Sequence, residues 1–150
     1  MRLCKSASAL LVVSAGLWAA DPFVGHWKLN VEKSDFGNTP KAKSGSTTYE
    51  GNGAGYRYTA ETIFGEDEVA RLQSPVEFNG TIHEGHLDER MVTFLSKKIN
   101  DNSYEVVFSD RQTGKVVQTF RYTVIGNELT LNWFKGGDQR PAITLMYDKQ

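Results

Sequence analysis

The stretch Phe23-Val24-Gly25-His26-Trp27-Lys28-Leu29-Asn30 (FVGHWKLN, residues 23–30) decides the fold. Phe23, Trp27, Leu29 and, just beyond, Val31 fall on every second position with Gly25 among them. That is the period of a β-strand with one buried face. A glycine inside such a run marks a bulge, or a place where a neighbouring strand or ring approaches closely. The indole two residues later is large enough to plug one end of a barrel.

Downstream of this strand, turn signals recur at short intervals: Gly51-Asn52-Gly53-Ala54-Gly55, Gly65-Glu66-Asp67, Asn79-Gly80, Asn100-Asp101-Asn102, Gln112-Thr113-Gly114, Gly126-Asn127 and Gly136-Gly137-Asp138. Between them the apolar residues alternate, as in Tyr56-Tyr58-Ala60-Thr62-Phe64, Tyr104-Val106-Phe108, Val116-Gln118-Phe120-Tyr122-Val124, Leu129-Leu131-Trp133 and Ile143-Leu145-Tyr147. Further strands are expected near Val69 to Phe78, with Pro75 marking an edge or bulge, and near Met91 to Ile99. No amphipathic helix of ordinary length fits between the turns. The pattern is that of an all-β protein, an antiparallel up-and-down barrel of about eight to ten strands, with a β-sandwich as the rival. Residues 32–46 (EKSDFGNTPKAKSGS) have no periodicity and read as a long loop, the kind of segment that forms mouths and lids.

Residues 1–20 carry Arg2 and Lys5, then an apolar run, then small residues, the layout of a secretory signal peptide cut after Ala19 or Ala20. The run is broken by Ser14 and Gly16 and is too short for the roughly 18 apolar residues of a membrane span. The expected mature domain is therefore residues 21–150, secreted or periplasmic and without an integral membrane span. Cys4 is the single cysteine and leaves with the signal, so the mature chain has no thiol chemistry. Loss of Arg2 and Lys5 takes the 17 Lys and Arg to 15 against 18 Asp and Glu, a net charge of −3. With basic residues spread in ones and twos, nucleic acid is not an expected partner.

The opening motif, Gly25-His26-Trp27, resembles the Gly-x-Trp that begins the first strand of the calycins, the lipocalins and fatty-acid-binding proteins. Glu128-Leu129-Thr130-Leu131 and Tyr147-Asp148-Lys149 are similar to the last two strands of the fatty-acid-binding branch. The mature chain as a whole resembles small secreted bacterial lipocalin-like proteins of unsettled function. The resemblance implies a lipocalin-like barrel with Gly25 and Trp27 as its structural signature. It breaks at one point: that branch holds a ligand carboxylate with Arg-x-Tyr in its last strand, and here Leu145 stands two before Tyr147. The helical lid of that branch has no room in residues 32–46 either.

Aromatic residues on the inward faces can fill a small barrel or line a pocket; Tyr58, Phe64, Phe120, Tyr122 and Trp133 are the candidate ligand-binding set. Arg57, Glu61 and Arg121 alternate with aromatics; Arg121, on the face opposite Phe120 and Tyr122, is a ligand anchor or a cap over Trp27 if that face is the interior, and ordinary surface if not. His83-Glu84-Gly85-His86 places two imidazoles close in sequence, a weak metal candidate unless Gly85 bends the chain, and more simply two histidines of a polar loop. No Gly-x-Ser-x-Gly elbow or phosphate loop is present, and no catalytic residue is assigned. The first expectation is a monomeric binder of a small apolar or amphipathic molecule, without a cofactor. The alternatives are a protein-interaction or inhibitor module using residues 32–46 and, less so, a metal-dependent enzyme at His83/His86.

Overall fold

The computed structural model describes residues 20–150, so the signal-like segment lies almost wholly outside the described residues. Ten strands follow in chain order: β1 (Gly25–Leu29), β2 (Ser44–Gly51), β3 (Gly55–Ile63), β4 (Val69–Glu77), β5 (His83–Leu87), β6 (Arg90–Asn100), β7 (Ser103–Asp110), β8 (Val116–Ile125), β9 (Glu128–Lys135) and β10 (Ile143–Lys149). They form one antiparallel sheet in the order β4-β3-β2-β1-β10-β9-β8-β7-β6-β5. The sheet curls so that its two ends, β4 and β5, face each other across a seam with no backbone pairing. Every turn signal in the sequence falls on a connection between strands. Among the described residues there is no α-helix.

Two strands escaped the sequence reading. The expected loop 32–46 stops at Lys43, because β2 begins at Ser44. Its inward residues, Gly45, Thr47 and Tyr49, are mostly small or hydroxylic, so the apolar alternation that announces a half-buried strand is missing. The expected polar loop around His83 is β5, paired in register with β6 from His83↔Phe94 to Leu87↔Arg90. There a histidine and a glycine occupy inward positions that usually carry apolar residues.

Trp27 is 1% exposed, its indole N–H donating to the Phe23 carbonyl at 2.9 Å. Gly25 has a φ of +135°, a backbone conformation closed to most side chains, whereas a Cβ built there would meet only the Lys149 side chain at 3.4 Å. The glycine is therefore required by its own backbone more than by a close neighbour. The cap over the indole is Lys149, whose ammonium lies 5.2 Å from the ring of Trp27. Arg121 does not supply it.

In the same buried cluster as Trp27 the interior is filled by tyrosine. All six tyrosines of the chain are buried. Tyr104 and Tyr122 stack at 4.7 Å with 14° between their rings, and Phe23 meets the Tyr104 ring at 5.1 Å. The hydroxyls of Tyr49 and Tyr104 share a hydrogen bond of 2.8 Å, and the Tyr56 hydroxyl donates to Asp21 at 2.6 Å. Burial pushes the Tyr49, Tyr104 and Tyr122 hydroxyls well above the usual range, so this half of the core is neutral.

Candidate functional site

Away from the tyrosines, the inward face changes composition and the packing opens. Phe94 on β6, Phe108 on β7 and Phe120 on β8 form a ladder, with centroids 5.5 Å and 5.3 Å apart, and Phe120 reaches Trp133 of β9 at 6.4 Å. The ladder follows from sheet geometry: Phe94 and Phe108 are register partners, as are Phe120 and Trp133, so their rings stand on one side of the sheet. Unlike the tyrosines, these rings are only half-buried. They wall a cavity of about 530 Å³ that opens at the seam between β4 and β5, where Leu72 and Ser74 face His83 and Gly85. A volume of this size lies within the range that holds small ligands.

The seam is crossed by side chains rather than by backbone. His83 stacks on Phe94, with ring centroids 5.2 Å apart and 21° between planes, and its Nε2 lies 3.3 Å from Glu77 Oε2 on β4. That contact has the distance of an ion pair without the alignment of a hydrogen bond: Nε2 is shielded from solvent and has no aligned partner. Besides Gln73, Glu84 and His86, which are exposed at its rim, two further polar side chains line the cavity. Gln118 accepts the Trp133 indole N–H on its side-chain oxygen at 3.1 Å, which leaves its amide N–H groups available, and Ser74 holds only a long bond of 3.3 Å to the Pro75 carbonyl. The lining contains no lysine or arginine.

Of the residues expected in a site, Phe120 lines this cavity, and Trp133 stands behind it as the partner of Gln118. Tyr58 and Tyr122 belong to the packed tyrosine half, with centroids 5.7 Å apart. Phe64 lies just past β3, partly buried against the core, its N–H donating to the Glu68 carbonyl at 3.0 Å. For Arg121 the structure takes the surface alternative: it is exposed on the outer face, its guanidinium 5.1 Å over the Phe134 ring and 3.3 Å from Glu105. It takes no part in the interior. Arg57 and Glu61 also point outward, toward Glu50 and Arg71.

His83 and His86 are not brought together. β5 is regular and Gly85 makes no bend, so the two histidines alternate in exposure: His83 stacks on Phe94 inside the seam, while His86 is exposed and borders the cavity at its rim. Among the described residues no group of three metal-binding side chains occurs. The residues the sequence reading missed are Phe94, Ser74 and Gln118, whereas Phe108 is among the inward aromatics it expects. Phe108 stood in an expected strand, but nothing in the sequence marks which inward aromatics are tightly packed and which border open space.

No family model matches the chain, and no curated protein matches it in sequence. Solved structures do match. A Schistosoma mansoni fatty acid binding protein, in complex with arachidonic acid, is 15% identical, with a TM-score of 0.59 over 86% of this chain and 96% of that one. Caenorhabditis elegans lipid binding protein 8 is 14% identical, with a TM-score of 0.61 over 88% and 98%. The fold is that of the fatty-acid-binding proteins. A third structure with this calycin fold, secretory abundant heat soluble protein 4 from Ramazzottius varieornatus, is 14% identical with a TM-score of 0.59 over 89% and 98%. At these identities the calycin likeness speaks for the architecture.

Proposed function

We propose that the protein binds a small lipid-like molecule in the seam cavity. The observation that carries this reading is the division of the interior: one half is filled by Trp27 and the tyrosines, while the other is an apolar cavity of about 530 Å³ walled by half-exposed rings. Half-exposed aromatic surface around an open volume gains free energy when an apolar ligand covers it, by about 25 cal/mol for each Å² removed from water. The fatty-acid-binding neighbours, one carrying arachidonic acid, support the same use of the architecture. The N-terminal charge and apolar pattern supports delivery of the chain across a membrane, with the ligand met outside the cytoplasm.

Native mass spectrometry of protein purified from its own host tests this. The expected spectrum contains a non-covalent adduct of lipid mass that is lost on extraction with organic solvent. A chain that carries no adduct, and that also fails to bind an apolar fluorescent probe after extraction, contradicts the reading.

A further inference from the structure

We propose that the polar end of this ligand is uncharged, an alcohol or ester rather than a free carboxylate, an inference that rests on the binding reading above. The cavity offers hydrogen bonds but no positive charge. Its polar lining consists of Gln118, Ser74 and the unaligned Nε2 of His83, with Gln73, Glu84 and His86 at the exposed rim, and among the described residues it holds no lysine or arginine. A hydroxyl or ester carbonyl can be satisfied by an amide N–H and a serine hydroxyl. A carboxylate enclosed with no counter-charge loses its hydration without recovering it, a far larger cost than that of a neutral group.

Every basic side chain near the cavity is engaged elsewhere. Arg71 is on the outside with Glu61 at 2.8 Å, Arg111 with Glu84 at 3.3 Å and Arg90 with Asp110 at 3.7 Å, and the Lys135 ammonium lies 5.6 Å from the Trp133 ring. His86 borders the cavity only at its solvent-exposed rim. His83, the more buried of the two lining histidines, already faces the Glu77 carboxylate at 3.3 Å, which would repel a second carboxylate. Leu145, two before Tyr147 on β10, and the outward Arg121 complete the pattern: the interior strands carry no cation to the cavity.

The test uses three ligands with one acyl chain, oleyl alcohol, monooleoylglycerol and oleate, competing against an apolar fluorescent probe on delipidated protein at pH 8, where oleate in water is ionised. The two neutral ligands are expected to bind more tightly than oleate by about tenfold or more. Oleate binding as tightly as the alcohol overturns the proposal while leaving lipid binding intact. Binding of none of the three overturns the lipid reading together with it. Ser74→Arg places a cation at the seam edge, where Ser74 is only partly covered, and is expected to close most of the gap by strengthening oleate. A folded S74R protein with the gap unchanged would show that discrimination arises elsewhere, and would overturn the electrostatic argument.

Discussion

Removing the hydroxyl of Tyr49 or of Tyr104 should each cost stability, and removing both should cost much less than the sum. The two hydroxyls share one 2.8 Å hydrogen bond, and each residue is 1% exposed. Replacing either tyrosine by Phe leaves the other hydroxyl buried without this partner, a penalty of about 1–3 kcal/mol. In the double variant both polar groups are gone and two rings of nearly the same shape remain. The Tyr104–Tyr122 stack at 4.7 Å and the Phe23–Tyr104 edge contact at 5.1 Å involve rings alone and survive in all three variants. The expected coupling is therefore about 1 kcal/mol or more, with the double variant close to the better single one. Urea unfolding at neutral pH, followed by the fluorescence of the buried Trp27, measures all four proteins. Additive losses within about 0.5 kcal/mol would refute the claim that the hydroxyls form an isolated buried pair.

Three other expectations follow from the same geometry. Each of the six buried tyrosines has its ionisation pushed upward, by burial first. Their stabilisation is complete below the unfolded value near pH 10 and is lost as pH rises beyond it. Tyrosinate absorbance should thus stay flat through pH 10 in the folded protein and rise in one step with unfolding; gradual titration in the folded state would contradict the buried cluster. Gly25→Ala forces a Cβ onto a residue with φ of +135° and should cost about 1 kcal/mol or more in denaturant unfolding, whereas an unchanged midpoint would mean the backbone can relax there. Arg121→Ala removes a group from the outer face and should leave probe affinity unchanged; a lost affinity would return Arg121 to the site.

The architecture was legible because period-2 alternation and turn residues report directly on strands with one buried face and on their connections. It failed where inward residues were not apolar. Ser44 and Gly45 open β2 yet fall in the expected loop 32–46, and His83 and Gly85 of β5 read as part of a polar loop, although each takes its place beside Phe94 of β6. The aromatic residues were correctly placed inside, but sequence does not distinguish Tyr122, packed at 4.7 Å against Tyr104, from Phe120 two residues earlier, which borders open space. That difference is set by strand register and curl, summed over the whole sheet. Alternation alone leaves open whether Arg121 is an interior group or ordinary surface; it turns outward, and Lys149, the register partner of Trp27, lies over the indole.

The central claim, that the seam half of the barrel is open for a ligand, is tested most directly at Gly85. It lines the cavity, and a Cβ there would meet the Phe94 ring at an ordinary 3.5 Å, so a larger side chain can be accepted by the strand while it occupies the cavity. Probe titration of delipidated Gly85→Leu beside the natural protein, with unfolding curves for both, reads the two effects separately. The account predicts a folded G85L protein whose affinity for an apolar probe falls by about tenfold or more. Undiminished binding by a folded G85L protein would place the ligand somewhere other than the seam.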